Sequence, residues 1–139
     1  MVNYISKEMF LEQSEKVQDE LLNWWKPTIG DLYCCTNNGV LKVIDCDTFS
    51  EYEIQGSLKE TIHCYNSIYD RIIPLCQMHQ LVYFIENKTT CRVDMTYYDE
   101  IGYDIFLLKH GEIAYHYEDL GQDMLMALWQ VACKVAEVL

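Results

Sequence analysis

Positive charge is scarce in this 139-residue chain: ten Lys and Arg stand against twenty-two Asp and Glu, a formal net charge of −12. Proteins that bind nucleic-acid backbones do so through a basic footprint, so this balance argues against direct nucleic-acid binding. It fits a protein that meets a basic partner, or one kept soluble by its own charge. Long apolar runs are also missing. None approaches the roughly 18–20 residues needed to span a bilayer, and no N-terminal stretch has the charged, apolar and small-residue order of a signal peptide. The expectation is a soluble cytoplasmic chain with no membrane contact.

The patterns that carry catalysis are absent too. His63, His79, His110 and His116 form no HxxxH or HxxE pair, and no Cys-His set has zinc-ligand spacing. Adjacent His63 and Cys64 point to different sides of a helix or strand, which is not a nucleophile-and-base arrangement. No glycine-rich loop resembles a phosphate cradle, and no DxDxDG loop offers a calcium site. The seven cysteines are odd in number and have no CxxC pair, so free thiols in a reducing compartment are expected. The expectation is therefore a non-enzyme without cofactor or metal.

What is present is a foldable α+β pattern. Half the residues are apolar, enough for a real core in one domain over residues 1–139. Ser6 is a plausible N-cap, and Phe10, Val17, Leu21 and Trp24 recur at helical spacing up to the break at Pro27. Residues 31–36 and 40–46 flank Asn38-Gly39 as a β-hairpin, which would set Cys34 opposite Val43 and Tyr33 opposite Ile44. A short strand at 49–55 follows. Ser57 to Glu60 reads as a capping box before Leu58, Ile62, Tyr65 and Tyr69. After Pro74 a second middle helix carries Met78, Leu81, Val82 and Ile85.

Residues 91–98, 103–109 and 112–118 alternate as a three-stranded antiparallel meander. Asp119 to Gln122 reads as a capping box for a C-terminal helix with Met124, Leu128, Val131, Val135 and Leu139 on one face, packed on the sheet. A two-residue turn at His110-Gly111 and a four-residue loop from Asp99 to Gly102 predict one face of Val93, Met95, Tyr97, Phe106, Leu108, Ile113, Tyr115 and Tyr117, with Asp104 near its edge. The opposite face then holds Asp94, Thr96, Tyr98, Tyr103, Ile105, Leu107, Lys109, Glu112, Ala114 and His116.

Acidic clustering is the strongest functional lead. From Val93 to Cys133 there are eight carboxylates, at Asp94, Asp99, Glu100, Asp104, Glu112, Glu118, Asp119 and Asp123, with Lys109 the one Lys or Arg among them. Carboxylates two apart on a strand lie about 7 Å apart on one face, comparable with successive phosphates. A sheet and its loops could thereby act as a DNA mimic toward a basic groove. A solvated acidic surface, with Asp119 and Asp123 serving a helix N-terminus, is the plain alternative. The eleven tyrosines and three tryptophans are the other feature. Tyr98 and Tyr103 are expected to face the same way and could stack a ring or anchor an interface. In the adjacent pair, Trp24 is expected in the core, while Trp25 near Tyr33 is the candidate contact.

"ISKEMFLEQSEKVQDELLNWWKPTIGDLY", "PLCQMHQLVYFIENKT" and "YEDLGQDMLMALWQVACKVAEVL" resemble segments of small proteins encoded by phages and prophages of Gram-positive bacteria. The chain departs from that pattern in its cysteines and in the more apolar turn before residue 80. The group brings no functional residues with it. The resemblance implies an accessory protein of a bacterial host cell, and small acidic phage proteins often block host defence nucleases.

The leading expectation is a phage inhibitor of the anti-CRISPR type. It would occlude the basic nucleic-acid groove of a CRISPR effector through Asp94, Asp99, Glu100, Asp104, Glu112, Glu118, Tyr98 and Tyr103. One alternative is a sponge for a nucleotide signal using Trp25, Tyr33, Tyr98, Tyr103 and His116. The other is a homo-oligomeric structural or regulatory protein.

Overall fold

Two serines, rather than Ser6 alone, start the N-terminal helices. The structure is a computed structural model describing residues 3–36, 38–46 and 72–138. Helix α1 runs Lys7–Leu11, with the Ser6 hydroxyl accepting from the Met9 N–H. Helix α2 runs Glu15–Trp24, and Ser14 caps it by accepting from the Val17 N–H. A serine competes for backbone donors inside a helix but satisfies them at its start, so Ser14 breaks the single expected helix into two. Gln18 bridges the break, its amide donating to the carbonyls of Leu11 and Gln13.

The break also reverses the expectation for the tryptophans. Trp25 leaves α2 at its C-cap in an extended conformation (φ −68°, ψ 119°) and is 2% exposed. Trp24 is only half-buried. Val17, Leu21 and Trp25 now share the inward side, with Trp25 four residues beyond Leu21.

Strands β1 (Leu32–Cys35), β2 (Asn38–Val43) and β3 (Ile72–Pro74) form an antiparallel sheet in the order β2-β1-β3. The hairpin turn lies between Cys35 and Asn38, two residues before the expected Asn38-Gly39, and an irregularity between Tyr33 and Cys35 returns part of that offset. Leu32 therefore faces Val43, and Tyr33 faces Lys42, a shift of two that leaves each side chain on its original face. Strand β3 pairs Tyr33, Cys34 and Cys35 with Pro74, Ile73 and Ile72. At three residues it is too short for periodicity to reveal. The strand expected at 49–55 and the helix following Ser57 lie outside the described residues.

Contacts divide the chain into two compact units, one ending at Cys76 and the other beginning at Gln77. In the second, helix α3 (Met78–Thr89) begins where the Gln80 side chain accepts from the Gln77 N–H. Strands β4 (Arg92–Tyr98), β5 (Gly102–Lys109) and β6 (Glu112–Tyr117) follow as an antiparallel meander, and helix α4 (Met124–Val138) closes the unit. Helices α3 and α4 pack together, α3 onto β4 and α4 onto β5. Asp123, not Asp119, caps α4: its carboxylate accepts from the Met126 N–H, whereas Asp119 sits at φ +55° one turn earlier. The buried side of α4 is broad, including Leu125, Leu128, Trp129, Val131, Ala132 and Val135, while Met124 is open.

The meander register differs from expectation by one residue. Tyr98 pairs with Gly102, so the β4–β5 connection is Asp99-Glu100-Ile101, closed by the Ile101 N–H donating to the Tyr98 carbonyl. A one-residue shift turns a strand over. Tyr103, Ile105 and Leu107 face the helices with Val93, Met95, Tyr97, Tyr115 and Tyr117; Asp104, Phe106 and Leu108 face outward with Asp94, Thr96, Tyr98 and His116. Ile105 and Leu107 are wholly buried. The expected register would have brought the Asp104 carboxylate onto the core face, and an unpaired buried carboxylate costs several kcal/mol, on the order of the burial energy of two large side chains. A bulge between Leu107 and Leu108 adds a second correction, sending Ile113 outward to an exposed position opposite Leu108.

Among the described residues all six cysteines are free thiols, and no helix is long and apolar enough to cross a membrane.

Candidate functional site

The turn joining β4 to β5 is the most distinctive surface of the C-terminal unit. Glu100 takes a left-handed conformation (φ +67°) and Gly102 follows at φ +119°. Gly102 is required there: a Cβ would lie 2.4 Å from the Gly121 carbonyl oxygen. The chain beyond β6 is tied alongside, with the Tyr103 N–H donating to Gly121 O at 2.7 Å and the Leu120 N–H to Tyr103 O at 2.9 Å. The tip is thus anchored on both sides while its side chains stay open. Ile101 is 61% exposed, Tyr98 44% and Tyr97 46%, and Asp99 and Glu100 are exposed between them. The Tyr97 ring rests on that of Tyr103, centroids 4.9 Å apart.

Behind the tip, the outward face carries a polar cluster. Asp104 is nearly buried, its Oδ2 lying 2.8 Å from His116 Nε2 and its Oδ1 accepting from the Asp119 N–H at 3.2 Å. The His116 ring stacks on Phe106 at 4.2 Å, with Glu118 3.6 Å from Nδ1. A carboxylate against an imidazole is a pairing that enzymes use, but among the described residues no Ser, Thr or Cys hydrogen-bonds to His116 or Asp104. Among the described residues no three His, Cys, Asp or Glu side chains are grouped to hold a metal.

The predicted site residues are therefore partly gathered. Asp94, Asp104, Glu118, Tyr98 and His116 share the outward face, and Asp99 and Glu100 crown its tip. Glu112 is not with them. It lies at the far end of β5, opposite Lys109 in the strand register but not ion-paired with it. Tyr103 points to the helix side, opposite to Tyr98, so the expected stacking pair does not form. Trp25 and Tyr33 belong to the N-terminal unit and are 2% and 5% exposed, which removes both from a ligand-facing surface. The Trp25 indole N–H donates to Asp31 at 2.9 Å.

The 7 Å ladder of carboxylates expected for phosphate mimicry is also missing. Asp94 is followed on its face by Thr96 and Tyr98, and Asp104 by Phe106. Tyr97 and Ile101 were missed as surface residues: Tyr97 keeps its expected face but lies near the end of β4, where it is open, and Ile101 lies in the turn. The sequence signal was bulky apolar residues bracketing an acidic turn.

Family models, curated proteins and solved structures contain no match to this chain.

Proposed function

We propose that this protein is a non-enzymatic binding module whose acidic, aromatic tip engages a basic protein surface. The observation that carries the reading is the composition of the tip itself. Between Arg92 and Lys109 there is no basic side chain, while Asp94, Asp99 and Glu100 are exposed beside Tyr97, Tyr98 and Ile101. A surface that only confers solubility needs charge without large exposed apolar groups. Carboxylates around tyrosine and isoleucine instead resemble an interface, where aromatic anchors supply affinity and charge selects the partner and speeds encounter. The irregular carboxylate spacing favours a protein contact of this kind over a regular copy of a nucleic-acid backbone.

The narrower form of the proposal, supported by the resemblance to phage-encoded proteins, is an anti-CRISPR-type inhibitor that sits in the basic groove of a host defence nuclease. It is tested by titrating the protein into target-DNA cleavage by a guide-loaded CRISPR nuclease. The wild type should slow cleavage. A variant carrying Asp94→Lys, Asp99→Lys, Glu100→Lys and Glu118→Lys should lose about tenfold or more in potency with an unchanged melting temperature. Equal inhibition by both proteins rejects the tip, and no inhibition by either rejects the nuclease form.

A further inference from the structure

The end of the meander opposite the acidic tip has the reverse character. Strand β5 spans Gly102–Lys109, so this end lies about 23 Å from the tip at 3.3 Å per residue. Here Arg92 opens β4, Lys109 closes β5 and His110 begins the β5–β6 turn. With Glu86, Thr90, Cys91 and Leu108 they line an open cleft of about 640 Å³. Residues 77–139 contain ten carboxylates and four Lys or Arg, and two of those four cations line this one cleft.

The cations are also available. In an acid-rich chain the common fate of an Arg or Lys is an ion pair, yet among the described residues neither Arg92 nor Lys109 has a carboxylate within 4.0 Å. The one acidic lining residue is restrained: Glu86 Oε2 accepts from the Val93 N–H at 2.9 Å. Backbone conformation supplies a second, independent observation. Thr90 (φ +57°) and His110 (φ +54°) are both left-handed, and both stand on the rim. That region suits Gly or Asn at a helix end and at the first position of a tight hairpin turn, and it is a marked outlier for a β-branched residue. Thr90 is thus held at the cleft in a conformation that Gly or Asn would adopt with less strain, which is where binding sites tend to store it, whereas His110 is an ordinary occupant of its turn.

We propose that this cleft binds a small phosphorylated ligand. The Arg92 guanidinium offers paired N–H donors that match two phosphate oxygens, Lys109 adds a point charge, and His110 contributes a further ring donor. Leu108 and the aliphatic stems of Arg92 and Lys109 form an apolar floor for the organic part. The free oxygen of Glu86 can accept from a ligand hydroxyl. The cleft is open to solvent, so a ligand the size of a nucleoside monophosphate would be held mainly through its phosphate. The site shares no residue with the acidic tip, so it stands or falls separately.

The test is titration of the isotope-labelled protein with inorganic phosphate in one arm and adenosine monophosphate in the other, followed by amide shifts. Saturable shifts at Arg92, Lys109 and His110 are expected with the monophosphate, together with affinity about tenfold weaker in Arg92→Ala/Lys109→Ala. Both substitutions are at exposed positions, so the amide spectrum elsewhere should be unchanged. Equal response to inorganic phosphate would assign the site to the free anion, and a stronger response to the monophosphate to an organic phosphate. No saturable shift by about 10 mM of either probe, or shifts undiminished in the double variant, would overturn the proposal.

Discussion

Each unit of the chain buries one aspartate among its described residues, and the two are built for different ends. Asp31 in the N-terminal unit directs a single oxygen, Oδ2, at two neutral donors, the Trp25 indole at 2.9 Å and the Thr28 N–H at 3.0 Å. Its own backbone completes the turn, accepting from the Ile44 N–H. Asp104 in the C-terminal unit divides its oxygens between the Asp119 N–H and His116, an imidazole that reaches solvent and lies beside Glu118. A carboxylate closed in by non-titrating donors serves the fold alone. A carboxylate shared with an open imidazole joins the fold to the charged surface around it, here the face behind the acidic tip.

Truncating the two acids should separate them most. Asp31→Ala leaves the buried Trp25 N–H and the Thr28 N–H without their acceptor, and the expected loss in urea unfolding is about 3 kcal/mol. In Asp104→Ala the imidazole can turn to water, so the expected loss is nearer 1–2 kcal/mol. Equal losses would mean that His116 is as firmly enclosed as Trp25, and the distinction would fail.

Replacement by asparagine sharpens the contrast. At Asp31 both bonds end on one oxygen, so an amide oxygen in that place keeps both and only the charge is lost, costing about 1 kcal/mol. At Asp104 the two oxygens have different partners. In Asp104→Asn the new amide retains both only if its NH2 group donates to a neutral His116 Nε2, which moves the ring proton to Nδ1 beside Glu118. The expected outcome is a stability loss under about 1 kcal/mol, with nitrogen shifts of His116 reporting the Nδ1–H tautomer. Retained stability without that tautomer would show that the pair is not a hydrogen bond in solution.

The same contrast marks how far the fold could be read from sequence. The three strands of the meander and the existence of α4 followed from alternation and helical spacing, because Val93, Met95, Tyr115 and Tyr117 have one dominant reason to face inward. Strand β5 carries apolar side chains on both faces, Ile105 and Leu107 against Phe106 and Leu108, so its orientation depended on the length of one turn. That length was set by the Gly102–Gly121 approach, a contact distant in sequence. The tip was visible as an acidic cluster, but its exposed Tyr97 and Ile101 were not, because exposure at a strand end and a turn depends on where the helices stop covering the sheet and not on alternation. Trp25 continues the spacing of Val17 and Leu21, but Trp24 fits a helical stripe three residues after Leu21 equally well, and spacing alone could not choose between them. The cleft at Arg92 and Lys109 joins residues seventeen apart through strand pairing, and no local motif announces it.

The smallest expected effect tests the Asp31 side alone. Cys76 is fully buried nearby, and its thiol is pushed up to about 12, first by burial and then by the Asp31 carboxylate. The unfolded thiol ionises near 9.0. Stability from this group is therefore complete below pH 9 and falls as pH rises toward 12, because the unfolded chain sheds a proton that the folded chain keeps. Since burial is the larger cause, Asp31→Asn should lower the upper limit of that window only slightly, while Cys76→Ala should abolish this contribution to the alkaline decline. Alkylation gives the independent check: exposed Cys46 should react with iodoacetamide at about pH 8.5 while Cys76 stays protected. If Asp31→Asn instead made Cys76 react as fast as Cys46, the aspartate would be holding that loop closed, and its role would be larger than a pair of hydrogen bonds.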